Sequence, residues 1–506
     1  MARLFNRLTI CEFAKSQVVR YTNKADHWSV IRRKKTHMDK ALKHFDEFYG
    51  DVYGKSWEDI RSALLMETHK YMAVVNSYSD IDRIKSELEN HGAMNLRTIY
   101  ETYKEHLDAQ SSNSEKKRKK KLARNQQIES TISNAQISAI QSHYPPDYTS
   151  PPVSLSTMDE DEDEDIVMEN QGLQPVEMKS IESNLNEISI DENRIIYPNA
   201  GLSGLYEFIP ATKIKGMEDW VLESQHYGYY KEGADFSVKI EKEKILTFPQ
   251  YLNIYTFEQN NDSEFPPSKK GSTGVLDYYL LDGASVLPVL ALDLQPGDVV
   301  LDMCAAPGGK TLSILQTLLP HMIVANDISQ SRVKRIHNVI DQYVAGIGQW
   351  QDRLHVTERD ARYIDDKDVY NKILVDVPCT TDRHVLHSEE NNIFKPQRIR
   401  ERLQMPELQA AILTNALKII SVGGTVVYST CSLSPIQNDG VVGMALKKTW
   451  EDTNSIMVVK DMKKALMPLR CLYKFRDFAL KYGHIAIPTL DNNWGPMYFC
   501  KIIRIR

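Results

Sequence analysis

The stretch Asp298-Val-Val-Leu-Asp-Met-Cys-Ala-Ala-Pro-Gly-Gly-Lys-Thr311 decides the fold. A short apolar run rich in β-branched residues enters a turn of small residues, which in turn opens a helical pattern, the signature of a strand feeding a helix. Four similar runs follow at regular intervals: MIVAND (322–327), LHVTERD (354–360), KILVDVP (372–378) and TVVYSTC (425–431). Strands alternating with helices predict βαβ crossovers and a parallel sheet covered on both faces. IAIPTL (485–490) and MYFCKIIRI (497–505) predict a closing pair of strands. The fold class is therefore α/β, a doubly wound, Rossmann-like sheet with ligands beyond the carboxyl ends of its strands.

Those ends carry polar residues. Gly308 and Gly309 allow close backbone approach at a helix N-terminus, which favours a negative group. A P-loop would need glycine where Cys304 stands, so an ATP-hydrolysing site is disfavoured; the GxGxxG spacing is also missing. Asp327 ends the second run about twenty residues on, where a carboxylate can accept from ribose hydroxyls. Asp360 ends the third, placed to meet an adenine amino group, and Asp376 the fourth. One such Asp is often a helix cap. Three on successive strands beside a Gly-Gly turn describe a pocket for an adenosine-containing cofactor.

Cys379 and Cys431 follow the fourth and fifth runs. Parallel neighbours lie about 4.8 Å apart, so two thiols there can face one small substrate. Cys11, Cys471, Cys500 and, less clearly, Cys304 are expected to fill space, as free cysteines commonly do. Six cysteines without paired spacing make neither a disulfide framework nor a zinc site, and no metal is expected.

The rest of the 506 residues sets the context. No apolar run reaches the roughly 18 residues needed to cross a bilayer, so no membrane span is expected. The net charge of −6 is more than accounted for by seven consecutive acids, Asp159–Asp165, so it says nothing about nucleic acid. Residues 1–35 are basic, poor in acids and amphipathic, which predicts a mitochondrial presequence and a matrix location. From Met38 to Leu107 the apolar spacing is helical, giving a helical N-terminal segment over 36–107. KKRKKK (116–121) and the acidic run predict a disordered charged linker over 108–190. The catalytic domain then spans 191–506.

From about Phe265 to Arg506 the chain resembles the Nol/Nop/Sun family of S-adenosylmethionine-dependent RNA cytosine-5 methyltransferases. DMCAAPGGKT (302–311), DVPC (376–379) and STCS (429–432) carry the likeness. Thr380-Thr381-Asp382-Arg383-His384 replaces the usual Ser-Gly-type loop and, with FPPSKKGS (265–272), ENNIFK (390–395) and WGPMYFCK (494–501), points to the mitochondrial ribosomal-RNA branch. FDEFYGDVYGKSW (45–57) is similar to that branch too.

The resemblance implies that Gly308, Gly309 and Lys310 line the methionine and ribose side of the cofactor. Asp327 and Arg332 would hold the ribose and far edge, Asp360 and Ala361 the adenine, and Asp376 would lie between cofactor and cytosine, at the N3 edge. Cys431 would be the nucleophile and Cys379 would assist product release. Ala361 stands where the family has Gly, and the charged insert departs from its pattern. Lys269, Lys270, Arg383 and His384 are candidate RNA contacts.

The resemblance further implies mitochondrial small-subunit rRNA as substrate and a role in mitochondrial ribosome assembly. A helical-solenoid partner of the mitochondrial transcription-termination-factor family would form a heterodimer with it, facing residues 38–107 and the C-terminal sheet edge. The rival reading is a catalytically idle assembly factor, against which intact Cys379, Cys431 and Asp376 argue.

Overall fold

The computed structural model describes residues 36–67, 70–109, 238–261, 263–346, 352–476 and 480–506. The expected presequence, all but the first two residues of the expected linker, and 191–237 of the expected catalytic domain lie outside the described residues.

Two sheets organise the rest. The smaller comprises β1 (Tyr71–Val75), β2 (Met94–Asn95), β3 (Ile254–Thr256) and β4 (Tyr278–Asp282), ordered β2-β3-β1-β4. Its central strand β1 runs antiparallel to both β3 and β4. The larger holds β5 (Val299–Asp302), β6 (Met322–Asn326), β7 (Leu354–Thr357), β8 (Lys372–Asp376), β9 (Thr425–Thr430), β10 (His484–Ile487) and β11 (Met497–Arg504). They lie in the order β7-β6-β5-β8-β9-β11-β10.

β5 to β9 are parallel, whereas β11 is antiparallel to both β9 and β10. This is the expected doubly wound sheet with its closing pair. Every residue of β9 is buried, as a strand covered on both faces requires. The strand order reverses between β5 and β8, so a crevice opens beyond their carboxyl ends. Among the described residues no helix is long and apolar enough to cross a membrane.

The expected helices before residue 108 are present as α1 (His37–Tyr53), α2 (Trp57–Leu65), α3 (Ile81–Asn90) and a helical run over 96–109. Thr36 and Asp39 close a reciprocal capping box that starts α1. Ala41, Phe45, Phe48 and Tyr49 then fall on its buried face, with Phe45 edge-on to Phe394 at 5.5 Å. The sequence periodicity missed β1. Its last four residues, Met72–Val75, are all buried, so the alternation that marks a half-exposed strand is absent. Residues 36–107 thus share the smaller sheet with β3 and β4 and a core with residues of β8 and β9.

Candidate active site

The turn after β5 is built before any ligand is considered. Gly308 adopts φ +113°, a conformation that strains any side chain, and starts α4 (Gly309–Leu315). A Cβ on Gly309 would lie 3.0 Å from a Tyr279 ring carbon and 3.1 Å from Leu281 Cδ1. Glycine is therefore needed there for packing on β4, besides any ligand. The Thr311 hydroxyl donates to Asp302 Oδ2 at 2.6 Å, closing the turn. Burial pushes Asp302 up to about 7, with the Thr311 hydrogen bond opposing it.

On one side of the crevice lies a cavity of about 460 Å³, within the ordinary range for a cofactor site. Cys304, Asp327, Arg332, Asp360 and Ala361 line it. Asp327 is almost wholly buried. Its Oδ1 accepts from the Ser329 N–H at 3.1 Å. Oδ2 lies 3.2 Å from Arg332 Nη2 in an ion pair but receives no hydrogen bond. A buried acceptor left open on a cavity wall fits the hydroxyls of a ribose.

Asp360 reaches the same cavity with its carboxylate clamped by Arg362, 2.6 Å from Nη2. That guanidinium holds the acid below its usual range. The Ala361 carbonyl accepts from Asn415 Nδ2 at 2.8 Å. The fourth wall comes from α7 (Ile399–Ile419), whose Glu401, Gln404, Glu407 and Leu408 carry no motif that sequence reasoning could have found.

Gly308, Gly309 and Lys310 are not on that wall. Lys310 turns instead toward Asp376, with Nζ 2.8 Å from Oδ2. Burial disfavours its charge, but the Asp376 carboxylate outweighs burial and leaves the Lys310 pKa raised. Ser429 donates to the other oxygen, Asp376 Oδ1, at 2.8 Å. The strand register explains the meeting, because Ser429 on β9 pairs with Asp376 on β8.

The same register carries both thiols past the strand ends. Cys379 and Cys431 converge, Sγ to Sγ 3.0 Å. Cys431 opens onto a second cavity of about 300 Å³, also lined by Tyr71, Asp282, Arg383, His384 and Met497. The hydrogen bond from Cys379, then burial, then nearby Asp376 push the Cys431 pKa well up, with Lys310 opposing. In this arrangement Cys431 is a thiol, and acting as a nucleophile would require the loss of its proton. Of the other cysteines, Cys500 is fully buried and Cys471 is half-buried, while Cys304 reaches the cofactor cavity wall. Cys11 lies outside the described residues. Lys269 and Lys270 are exposed.

A residue that sequence reasoning passed over holds the two thiol loops together. Asp382 is fully buried and accepts from Tyr49 OH at 2.7 Å, Thr380 Oγ1 at 2.5 Å and the Leu433 N–H at 2.7 Å. Ser432 Oγ adds a bond at 3.2 Å. Thr380 neighbours Cys379 and Ser432 neighbours Cys431, so one carboxylate fixes both. Its only sequence signal is its place in the unusual Thr-Thr-Asp-Arg-His loop. Asp382→Ala strands several buried donors and is expected to cost about 3 kcal/mol or more, whereas Tyr49→Phe costs about 1 kcal/mol. Thermal melts of both variants check the order.

Residues 289–470 match the family model described as 16S rRNA methyltransferase RsmB/F. The chain is 33% identical over 479 residues to the 5-cytosine rRNA methyltransferase nsun-4 of Caenorhabditis elegans, covering 93% of each. It belongs to the RsmB/F family of RNA cytosine-5 methyltransferases. The mouse relative, 5-cytosine rRNA methyltransferase NSUN4, is 46% identical over 259 residues, 50% of this chain and 67% of its own length. A zebrafish (Danio rerio) relative named tRNA (cytosine(34)-C(5))-methyltransferase, mitochondrial, is 36% identical over 242 residues, 47% of this chain and 64% of its own. RsmB/F enzymes depend on S-adenosylmethionine, and the doubly wound sheet described above is the fold of such a methyltransferase. The sequence resemblance to the Nol/Nop/Sun family therefore holds.

Proposed function

We propose that this chain methylates C5 of a cytidine in mitochondrial small-subunit rRNA, through a covalent bond from Cys431 to C6. The observation that carries the proposal is the pair of thiols 3.0 Å apart, one of them opening on a cavity separate from the cofactor wall. Both rRNA and the mitochondrion come from the names of relatives. Under the same proposal the enzyme works in the matrix behind a presequence at 1–35. It also serves mitochondrial ribosome assembly beside a solenoid partner of the transcription-termination-factor family.

S-Adenosylmethionine, when bound against Asp327, Arg332 and Asp360, supplies an electrophilic methyl group. Cytosine C5 is too weak a nucleophile to take that methyl unaided. Addition of the Cys431 thiolate to C6 pushes electron density toward C5. The proton that Cys431 gives up passes through Asp376 to the N3 edge, and that hydrogen bond steadies the charge that develops on the ring. Once C5 is methylated, its proton must leave before the Cys431–C6 bond can break. Cys379 stands beside that bond and assists the release. The base must be unpaired or extruded to enter the cavity, which favours a loop or an rRNA still being assembled.

Radiolabelled S-adenosylmethionine mixed with the protein and mitochondrial rRNA is expected to label cytosine C5. Bisulfite sequencing of cells with and without the protein should then locate one small-subunit cytidine. Binding without transfer would point to an idle assembly factor, and label in tRNA alone would overturn the substrate.

A further inference from the structure

Arg383 makes no ion pair among the described residues, although the Asp282 carboxylate acts on it from a distance. It sits in the first turn of α6 (Asp382–His387), within the loop that departs from the family pattern. Nε donates to the Gly495 carbonyl at 2.8 Å, and Nη1 to Asn493 Oδ1 at 2.7 Å and more weakly to the Ala63 carbonyl at 3.4 Å. All three acceptors are neutral. Nη2 is buried and has no hydrogen-bond partner among the described residues. Asp282 shares the cavity, but its carboxylate receives the backbone N–H groups of Gly495 and Ala284 and makes no ion pair with Arg383. His384 and His387 also reach the cavity, with a ring nitrogen of each held at the carbonyls of Glu390 and Leu64.

A half-buried guanidinium whose counter-charge, Asp282, makes no contact with it gains when an anion arrives. Its planar, permanently charged fork matches a phosphate better than any other group an RNA carries. The cavity it lines is the one onto which Cys431 opens. In a nucleotide with the usual anti base, C6 is the ring atom on the side of its own 5′-phosphate. A thiolate placed to attack C6 therefore has that phosphate close by.

We infer that Arg383 receives the 5′-phosphate of the target cytidine and so sets the base in register with Cys431. This rests on the proposed methyl transfer to RNA. Arg383 is a binding residue here, acting on where the base stops rather than on the bond changes.

The test uses full-length protein and an RNA segment carrying the cytidine located by bisulfite mapping, with binding measured across a salt series. Arg383→Gln is expected to flatten the plot of log affinity against log salt by about 0.7, the contribution of one phosphate in single-stranded RNA. Its KM for RNA should rise about tenfold and its kcat should fall, with S-adenosylmethionine affinity kept. Arg383→Lys should retain the slope. An RNA with one neutral methylphosphonate at the 5′ linkage of the target should weaken binding to the wild-type protein alike, and cost Arg383→Gln nothing further.

Wild-type protein that binds and methylates the methylphosphonate RNA as well as the natural one overturns the inference, whatever the variants do. So does an unchanged slope in a folded Arg383→Gln, which would mean a neutral base oxygen or a purely structural tie. A wild-type protein that methylates no RNA would instead sink the functional proposal itself.

Discussion

Cys379→Ser protein, mixed with RNA and S-adenosylmethionine, is expected to accumulate a protein–RNA adduct that survives a denaturing gel. Cys431→Ser should form no adduct and lose methyl transfer by a factor on the order of 10⁴ or more. The asymmetry follows from position. Both sulfurs reach the end of the same strand pair, but of the two only Cys431 lines the second cavity, the one proposed to admit a base. Its raised pKa, set first by the Cys379 hydrogen bond, means that the partner thiol also holds Cys431 in its protonated form. Replacing Cys379 with serine keeps a polar group there but slows the last step, so the bond to C6 persists. An adduct trapped by Cys431→Ser would exchange the two roles, the order used by cytosine methyltransferases that attack from the other cysteine.

Asp376→Asn is expected to lower kcat by about 10²–10⁴-fold, the usual range for a lost acid–base group. The substitution removes the negative charge 2.8 Å from Lys310 and leaves that ammonium buried without its partner. On a Cys379→Ser background it should also abolish the adduct, because addition to C6 needs the N3 edge held. S-Adenosylmethionine affinity should fall far less than the rate. A variant that binds the cofactor poorly yet still traps RNA would reassign Asp376 to the cofactor side.

The parallel sheet was legible because β5 to β9 are short, apolar and β-branched, and each ends in a motif residue. The meeting of Cys379 with Cys431 followed from adjacency alone. Lys310 was harder. Its place in the Gly-Gly-Lys-Thr turn pointed to the cofactor, and the pairing of β8 with β5 brings its side chain to Asp376. Asp382 was invisible as a hub, because its partners Tyr49, Thr380, Ser432 and Leu433 are scattered over nearly 400 residues. The α7 wall of the cofactor cavity has no spacing rule, since a helix side lining a cavity looks like any solvated face. Strand β1 was hidden by being buried almost throughout.

The seam between β1 and β4 has a practical corollary. Their five paired positions, Tyr71 with Asp282 through Val75 with Tyr278, knit together stretches some two hundred residues apart. Tyr49 reaches across more than three hundred to Asp382. The two stretches, 36–109 and 238–506, therefore belong to one folding body. Neither half should fold when made alone.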